Sequence, residues 1–251
     1  MTTKKTYLVT GGLGFIGLNF IRFFLEKYPS STLINIDAMK YETASRNLEY
    51  LNSYENHKFI KCDISEKSNL DKIFNEYCID GIVHFAAESH VDTSIINPES
   101  FVRTNIIGTF NLLEKSRNYV KEKGLKQHQF RFHHISTDEV YGTLNLDDPS
   151  FTEETKYAPT SPYSSSKASS DHLVRAYFHT YGLPITISNC SNNYGPFQDK
   201  EKLIPKIISM CKNNLDIPIY GNGKNIRDWL YVDDHCSAIL EILDNGKVGE
   251  T

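Results

Sequence analysis

Short apolar runs alternate along this chain with longer stretches whose apolar residues recur every three or four positions. Residues 6–10 form the first short run, and its β-branched, apolar composition predicts a strand. Residues 14–28 follow with Phe15, Ile16, Phe20, Phe23 and Phe24 at helical spacing, which predicts a helix with those side chains on its buried side. The rhythm then repeats. Strands are predicted over 32–36, 58–62, 81–85, 131–136 and 184–189. Helices are predicted over 66–77, where Leu70, Ile73, Phe74 and Tyr77 share a face, over 98–122 as one long element, and over 161–181. Strands that alternate with helices of this length require right-handed crossovers, so the predicted fold is a doubly wound α/β domain on a parallel sheet. Beyond residue 191 the pattern loosens. Loops rich in Asn, Gly and Pro separate helices predicted over 202–213 and 233–243. The chain therefore divides into a regular α/β domain over 1–191 and a smaller, less regular lobe over 192–251.

Composition narrows the function classes. Of the 251 residues, 27 are Lys or Arg and 31 are Asp or Glu, a net charge of -4 that argues against nucleic-acid binding. No apolar run approaches the ~18 residues that span a bilayer, and the first apolar stretch is too short for a signal peptide. The five cysteines are odd in number, widely spaced and never in a Cys-x-x-Cys pair, which points to reduced thiols in a cytosolic protein. No His/Cys cluster has metal-ligand spacing, so no metal is expected. His84, His133 and His134 read as strand or core residues, and Trp229 as core packing.

The first predicted strand runs into Gly11-Gly12-Leu13-Gly14-Phe15-Ile16-Gly17, with Gly11, Gly14 and Gly17 three positions apart. Glycine permits a tight turn here and lets backbone N–H groups approach a pyrophosphate, which then sits at the positive end of the next helix. Asp37 ends the second strand, twenty positions past Gly17. A carboxylate there accepts hydrogen bonds from the ribose hydroxyls of the adenosine and repels a phosphorylated ribose, which favours NAD over NADP. Asp63 follows the third strand and reads either as an adenine contact or as the cap of the next helix.

A second group of residues lies where ligands meet open α/β sheets. Tyr163 and Lys167 stand i, i+4 at the start of a predicted helix, on one face. A neighbouring ammonium favours the phenolate and turns tyrosine into a usable base. The fifth strand ends in Thr137-Asp138-Glu139. Two adjacent carboxylates in different surroundings can serve as acid and base of one reaction, and a plain dehydrogenase needs neither.

The glycine spacing resembles that of the extended short-chain dehydrogenase/reductases, and further stretches resemble the nucleotide-sugar 4,6-dehydratases within them. These are Ala86-Ala87-Glu88-Ser89-His90-Val91-Asp92, Pro162-Tyr163-Ser164-Ser165-Ser166-Lys167, Asn189-Cys190-Ser191-Asn192-Asn193-Tyr194-Gly195-Pro196, Glu201-Lys202-Leu203-Ile204-Pro205 and Arg227-Asp228-Trp229-Leu230-Tyr231-Val232-Asp233-Asp234-His235. The resemblance covers essentially the whole chain. It implies a Rossmann-like domain, NAD as cofactor, a nucleotide sugar as substrate and no nucleic-acid or membrane partner. It also implies loss of water from a thymidine or uridine diphosphoglucose. Tyr163 takes the O4 proton with Lys167 beside it, Thr137 bonds O4, Glu139 removes the C5 proton and Asp138 protonates the leaving C6 hydroxyl. Cofactor contacts implied beyond the glycines, Tyr163 and Lys167 are Phe15, Ile16, Asp37, Asp63, Ile64, Phe85, Ala86, Ala87, Ser89, Thr104 and Asn193. Substrate contacts implied are Ser89, Thr137, Asn192, Lys202, Leu203, Ile204, Pro205, Pro218, Ile219, Tyr220 and Arg227, with Lys202 and Arg227 suited to a diphosphate.

Two positions depart from the family pattern. Thr93 stands where an Arg is usual, and the stretch 38–43 differs from the usual sequence after the acid. Homodimerisation is implied through the helices at 98–122 and 161–181. The family continues past residue 251, so 192–251 is expected to be only part of the sugar-nucleotide lobe, with NAD binding kept and turnover weakened. A 4-epimerase or decarboxylase of the same fold, or a non-catalytic NAD sensor, stays open as an alternative.

Overall fold

A computed structural model describes residues 4–219 and 221–251. The expected substrate contact at Tyr220 lies outside the described residues. Six parallel strands form the main sheet: β1 Thr6–Thr10, β2 Thr32–Asp37, β3 His57–Lys61, β4 Gly81–His84, β5 Arg131–Thr137 and β6 Ile185–Cys190, in the spatial order β3-β2-β1-β4-β5-β6. The order reverses between β1 and β4. Chains leaving the carboxyl ends of these two neighbours go to opposite faces, and a cleft opens between them.

The sheet is buried on both faces, which is why its strands read as near-continuous apolar runs. Period-two alternation sorts the side chains. Leu8 packs into the cluster beneath α3 Lys67–Glu76, α6 Thr109–Lys123 and α7 Pro162–Tyr181, with Leu70, Leu112 and Val174. Tyr7 and Val9 point into the opposite cluster, beneath α1 Phe15–Lys27, α2 Thr43–Leu51 and α9 Val232–Asn245, with Leu18, Phe20, Leu51 and Ile239. On α1 the buried face is wider than predicted. Leu18, Ile21 and Leu25 join Phe20 and Phe24, because α1 touches the sheet on one side and α9 on the other. Phe15, Ile16 and Phe23 are only half-buried.

Three local features differ from the sequence reading. The long helix expected over 98–122 is interrupted. A short α5 Pro98–Phe101 widens into a π-helical segment over Val102–Gly108 before α6 resumes. The wider turn brings Thr104, Asn105 and Gly108 inward, and π turns of this kind concentrate at functional sites. Two short helices, α2 and α4 Val91–Ile96, were not predicted; they span only nine and six residues, too short for a helical pattern to stand out. A small second sheet pairs β7 Asn192–Tyr194 with β8 Trp229–Tyr231. α8 Leu203–Lys212 lies between these strands in sequence and buries no residue.

Although α9 falls in the stretch assigned to the second lobe, its Val232, Cys236, Ile239, Leu240 and Leu243 belong to the core beneath α1. Arg22 also meets Asp233 at 2.5 Å. Packing thus joins 232–245 to the first domain.

α7 is stopped at both ends by its sequence. Ser161 and Ser164 form a capping box at the N-terminus with Pro162 in the first turn, and Gly182 closes the C-terminus in the left-handed conformation. This fixes the rotation of the helix that carries Tyr163 and Lys167.

Phe20 is fully buried, with its ring 5.9 Å from Phe24 and 5.3 Å from Phe85. Phe20→Ala is expected to lower folding stability by about 3–5 kcal/mol, read from the midpoint of urea unfolding.

Candidate active site

The turn from β1 into α1 is shaped by close approach. Gly11 has φ 71°, and a Cβ on it would lie 2.6 Å from the backbone of Ala86, in the chain leaving β4. A Cβ on Gly17 would lie 2.4 Å from the Gly11 carbonyl. Gly14 is different, since it is exposed and faces the cleft. The three glycines therefore close the turn, seat the helix against it and leave its N-terminus open toward the cleft. That is the positive end of α1. Asp37 stands beside it and accepts hydrogen bonds from the backbone N–H of Leu13 at 3.1 Å and of Met39 at 2.8 Å. Burial nonetheless pushes its carboxyl above the usual carboxylate range. Asp63 is not the cap of the next helix, which is capped at Glu66; Asp63 accepts from the Ser65 N–H at 2.9 Å in the turn before it and borders the same cleft.

The cleft is a cavity of about 670 Å³ that runs from this turn to the end of β5. Its size and lining fit an extended dinucleotide. A backbone turn and helix N-terminus accept a diphosphate, Asp37 lies at the adenosine side, and the ammonium of Lys167 is buried at the far end.

At that far end, β5 breaks off into a short 3₁₀ turn, Asp138–Tyr141. The Thr137 hydroxyl caps the turn by accepting from the Glu139 N–H at 3.3 Å. Thr137 and Tyr163 line the same cavity. Lys167 donates to the Ile135 carbonyl at 2.8 Å. Burial raises the Asp138 carboxyl. Burial raises Glu139 too, helped by the charge on Asp138 and opposed by Arg227 and Lys202. The expectation that Lys167 depresses the Tyr163 hydroxyl does not hold in this structure. Burial and the Glu139 carboxylate push it well above the usual phenol range, and the nearest bond of Lys167 goes to the backbone of β5.

Every residue expected to contact the cofactor lines this one cavity, from Gly11 to Asn193. So do Thr137, Glu139, Ser89, Asn192, Lys202, Leu203 and Arg227. Asp138 stands next to the lining without forming part of it. Four expected substrate contacts do not line the cavity. Ile204 and Pro205 are half-buried within α8, and Pro218 and Ile219 are exposed on the following loop. Trp229 also differs from its reading as core. It lies 38% exposed at the cavity rim, edge-on to Tyr194, because the two-stranded β7–β8 sheet leaves that face uncovered.

The departing stretch 38–43 supplies residues the sequence reading missed. Tyr41 donates to a Glu88 carboxylate oxygen at 2.6 Å, and Lys40 lies 3.3 Å from Asp63 and 3.4 Å from Glu88. Together they form a polar bridge over the cavity rim. Nothing in the local pattern signals it, because the partners lie on three different loops. Thr93 sits exposed on α4 and does not reach the cavity.

A doubly wound sheet with this glycine turn, an acid at the end of β2 and a buried Tyr-x-x-x-Lys helix defines a dinucleotide-dependent short-chain dehydrogenase/reductase of the extended kind. The chain belongs to the nucleotide-sugar 4,6-dehydratase family. The family profile described as GDP-mannose 4,6 dehydratase matches residues 8–251. The chain is 49% identical over 248 residues to a dTDP-glucose 4,6-dehydratase of Neisseria meningitidis, covering 98% of this chain and 70% of that protein. It is 49% identical over 253 residues to dTDP-glucose 4,6-dehydratase 1 of Escherichia coli K12, covering 97% and 70%. The crystal structure of a dTDP-glucose 4,6-dehydratase from Bacillus anthracis in complex with NAD superposes with a TM-score of 0.86 at 44% identity, covering 98% of this chain and 74% of that one. A UDP-glucuronic acid 4-epimerase from Bacillus cereus reaches the same TM-score of 0.86 at only 29% identity, covering 98% and 76%.

Two outcomes follow from the geometry. Gly11→Ala is expected to weaken dinucleotide binding at least tenfold by calorimetry, because the added carbon meets Ala86 backbone that cannot yield and the φ is strained. Glu139→Gln is expected to raise the unfolding temperature at neutral pH. A carboxyl raised in the folded state contributes most stability when protonated and loses it as pH rises through its folded value. The gain should therefore shrink as pH falls into the carboxylate range.

Proposed function

We propose that this chain dehydrates dTDP-glucose to dTDP-4-keto-6-deoxyglucose, an NAD-dependent hydro-lyase reaction. The carrying observation is the Thr137-Asp138-Glu139 corner in one cavity with Tyr163, Lys167 and the glycine turn. The 49% identity to dTDP-glucose 4,6-dehydratases supports the same reading, as do solved relatives in complex with NAD and with NAD plus a further ligand. Bound NAD supplies a reversible hydride carrier between sugar C4 and C6.

The chain's own groups do the rest. Tyr163 takes the O4 proton as hydride leaves C4, and Thr137, lining the same cavity, holds O4 in line. Lys167 stands one helical turn from Tyr163 on α7 and binds the nicotinamide ribose. Once C4 is a ketone, the C5 proton is acidic. A carboxylate raised by burial is a stronger base than one in water, and Glu139 is placed to take that proton. Asp138, also raised, holds a proton more readily and delivers it to the departing C6 hydroxyl. Lys202 and Arg227 bring positive charge to the other rim, where the diphosphate of the substrate lies. Burial of the cavity keeps water from the reduced stage.

In this reading residues 1–191 form the dinucleotide domain with the catalytic residues. Residues 192–251 contribute to the nucleotide-sugar lobe, with α9 packed back on α1. Homodimerisation is supported by Ile95, Ile96, Val102, Ile107, Phe110 and Tyr181, apolar side chains exposed along neighbouring α4, the π segment, α6 and α7. The five unpaired cysteines suit a cytosolic enzyme, and no described helix is long and apolar enough to cross a membrane.

The test is incubation of the chain and NAD with dTDP-glucose, followed by mass spectrometry of the sugar nucleotide. Loss of one water is the expected result, and UDP-glucose run in parallel tests the base. An unchanged mass with an inverted C4 would instead identify an epimerase. Glu139→Gln should still bind NAD and still reduce it with substrate, while water loss falls by about 10²–10⁴-fold. Asp138→Asn removes the like charge beside Glu139, so the acid limb of its residual activity should move to lower pH.

A further inference from the structure

Behind the catalytic corner, Asp171 is a carboxylate with no exposure at all. It stands one helical turn after Lys167 on α7, on the same face. One oxygen accepts from the Ser136 hydroxyl at 2.7 Å and from the Tyr157 hydroxyl at 2.9 Å. The other lies 3.2 Å from His134 Nε2, which in turn lies 3.5 Å from Lys167 Nζ. Tyr157 is itself held by Arg175 at 2.9 Å. The first oxygen thus accepts two hydrogen bonds while the second has no hydrogen-bond partner among the described residues, a costly arrangement for a dry carboxylate, and no step of the proposed reaction consumes it.

We propose that Asp171 is the positioning residue that keeps the Lys167 ammonium charged and in place one helical turn from Tyr163, acting across the buried His134 ring. The proposal rests on reading this cavity as that of a 4,6-dehydratase. Burial alone drives the Lys167 ammonium below the usual lysine range, and Asp171 is the main influence opposing it. The other ionisable groups facing Lys167 are His84 on β4, His134 on β5 and Cys190 on β6. Burial lowers both histidines, His134 to about 4, so they are neutral at physiological pH. Burial pushes the Cys190 thiol up to about 12, so it too is neutral. Asp171 is the one member of this set that carries charge. Burial pushes Asp171 up, but the contact with His134, the Lys167 charge and the Ser136 hydroxyl outweigh it and hold it below the usual carboxylate range. Neutral His134 fills the gap between the two, its Nε2 being 3.2 Å from Asp171 and 3.5 Å from Lys167, without bringing a competing charge.

The experiment follows the Lys167 Cε resonance through a pH titration in [13C]lysine-labelled chain, assigned by its loss in Lys167→Met. In Asp171→Asn, which keeps the shape but not the charge, the Lys167 midpoint should fall by at least one pH unit, a tenfold loss of proton affinity. Tyr157→Phe, which removes one bond and keeps the charge, should leave it within about 0.3 pH unit. An unmoved midpoint in folded Asp171→Asn overturns the proposal. Where Asp171→Asn does not fold, the native chain decides. With [13C]aspartate label, the Asp171 carboxyl should be ionised at neutral pH and should shift at the Lys167 midpoint, whereas a protonated Asp171 overturns the proposal. In turnover of dTDP-glucose the alkaline limb of Asp171→Asn should descend with that midpoint. Failure of the native chain to dehydrate dTDP-glucose would sink the functional reading but not touch the titration, so the two failures are distinguishable.

Discussion

Everything in this molecule depends on one close contact, where the backbone leaving β1 passes the backbone leaving β4. Gly11 lies against Ala86 with no room for a side chain, and from there the two chains part to opposite faces of the sheet. A parallel sheet places the carboxyl ends of all its strands on one edge, so the cleft that opens at this crossing collects loops from the whole domain. Asp37 after β2, Asp63 after β3, Phe85 to Ser89 after β4, Thr137 after β5 and Cys190 after β6 share one cavity for this reason, although they come from distant parts of the chain.

The second organising fact is that the chemistry is placed in the dry part of that cavity. Tyr163, Lys167 and Asp171 are almost wholly buried, and Asp138 and Glu139 are largely so. Burial shifts each group in the direction that favours its neutral form, unless a partner opposes it. The carboxyls of Asp138 and Glu139 are both raised by burial. The lysine is held charged against its surroundings by a carboxylate one turn along its helix. The π segment before α6 serves the same end. Its wide turn lets Asn105 reach inward, where its side chain donates to the Glu88 carbonyl at 3.0 Å and to the Ser166 hydroxyl at 2.8 Å. That stitches the loop after β4 to the catalytic helix.

Much of this was legible in the sequence, and the reason is local. The alternation of apolar runs and helical faces reports burial on both sides of a sheet, and the strands sit within a residue or two of where the pattern puts them. The glycine turn, Asp37, the Thr-Asp-Glu corner and the Tyr-x-x-x-Lys pair are each contiguous or one helical turn apart, so their geometry follows from backbone rules alone. Of the two readings of Asp63, the helix cap is not realised, since α3 is capped at Glu66, and Asp63 borders the cavity.

What the sequence left open depends on contacts between segments far apart in the chain. The helix over 98–122 carries no glycine or proline at its interruption until Gly108, and only packing beneath the catalytic helix shows why it widens there. Trp229 reads as core by its type, yet its strand pairs with a single partner and leaves it at the cavity rim. α9 follows the loose second stretch in sequence but buries its apolar face on α1. The bridge from Lys40 and Tyr41 to Asp63 and Glu88 joins three loops, and the Asp171 network joins β5, α7 and the loop before α7. By itself the sequence determined the main strands and helices and which residues line the cavity at the glycine turn and the end of β5, because propensity, capping and periodicity act over a few residues. Only the tertiary structure decided which charges face one another and how far each is shifted, because electrostatic energy depends on distance and burial in space and not on separation along the chain.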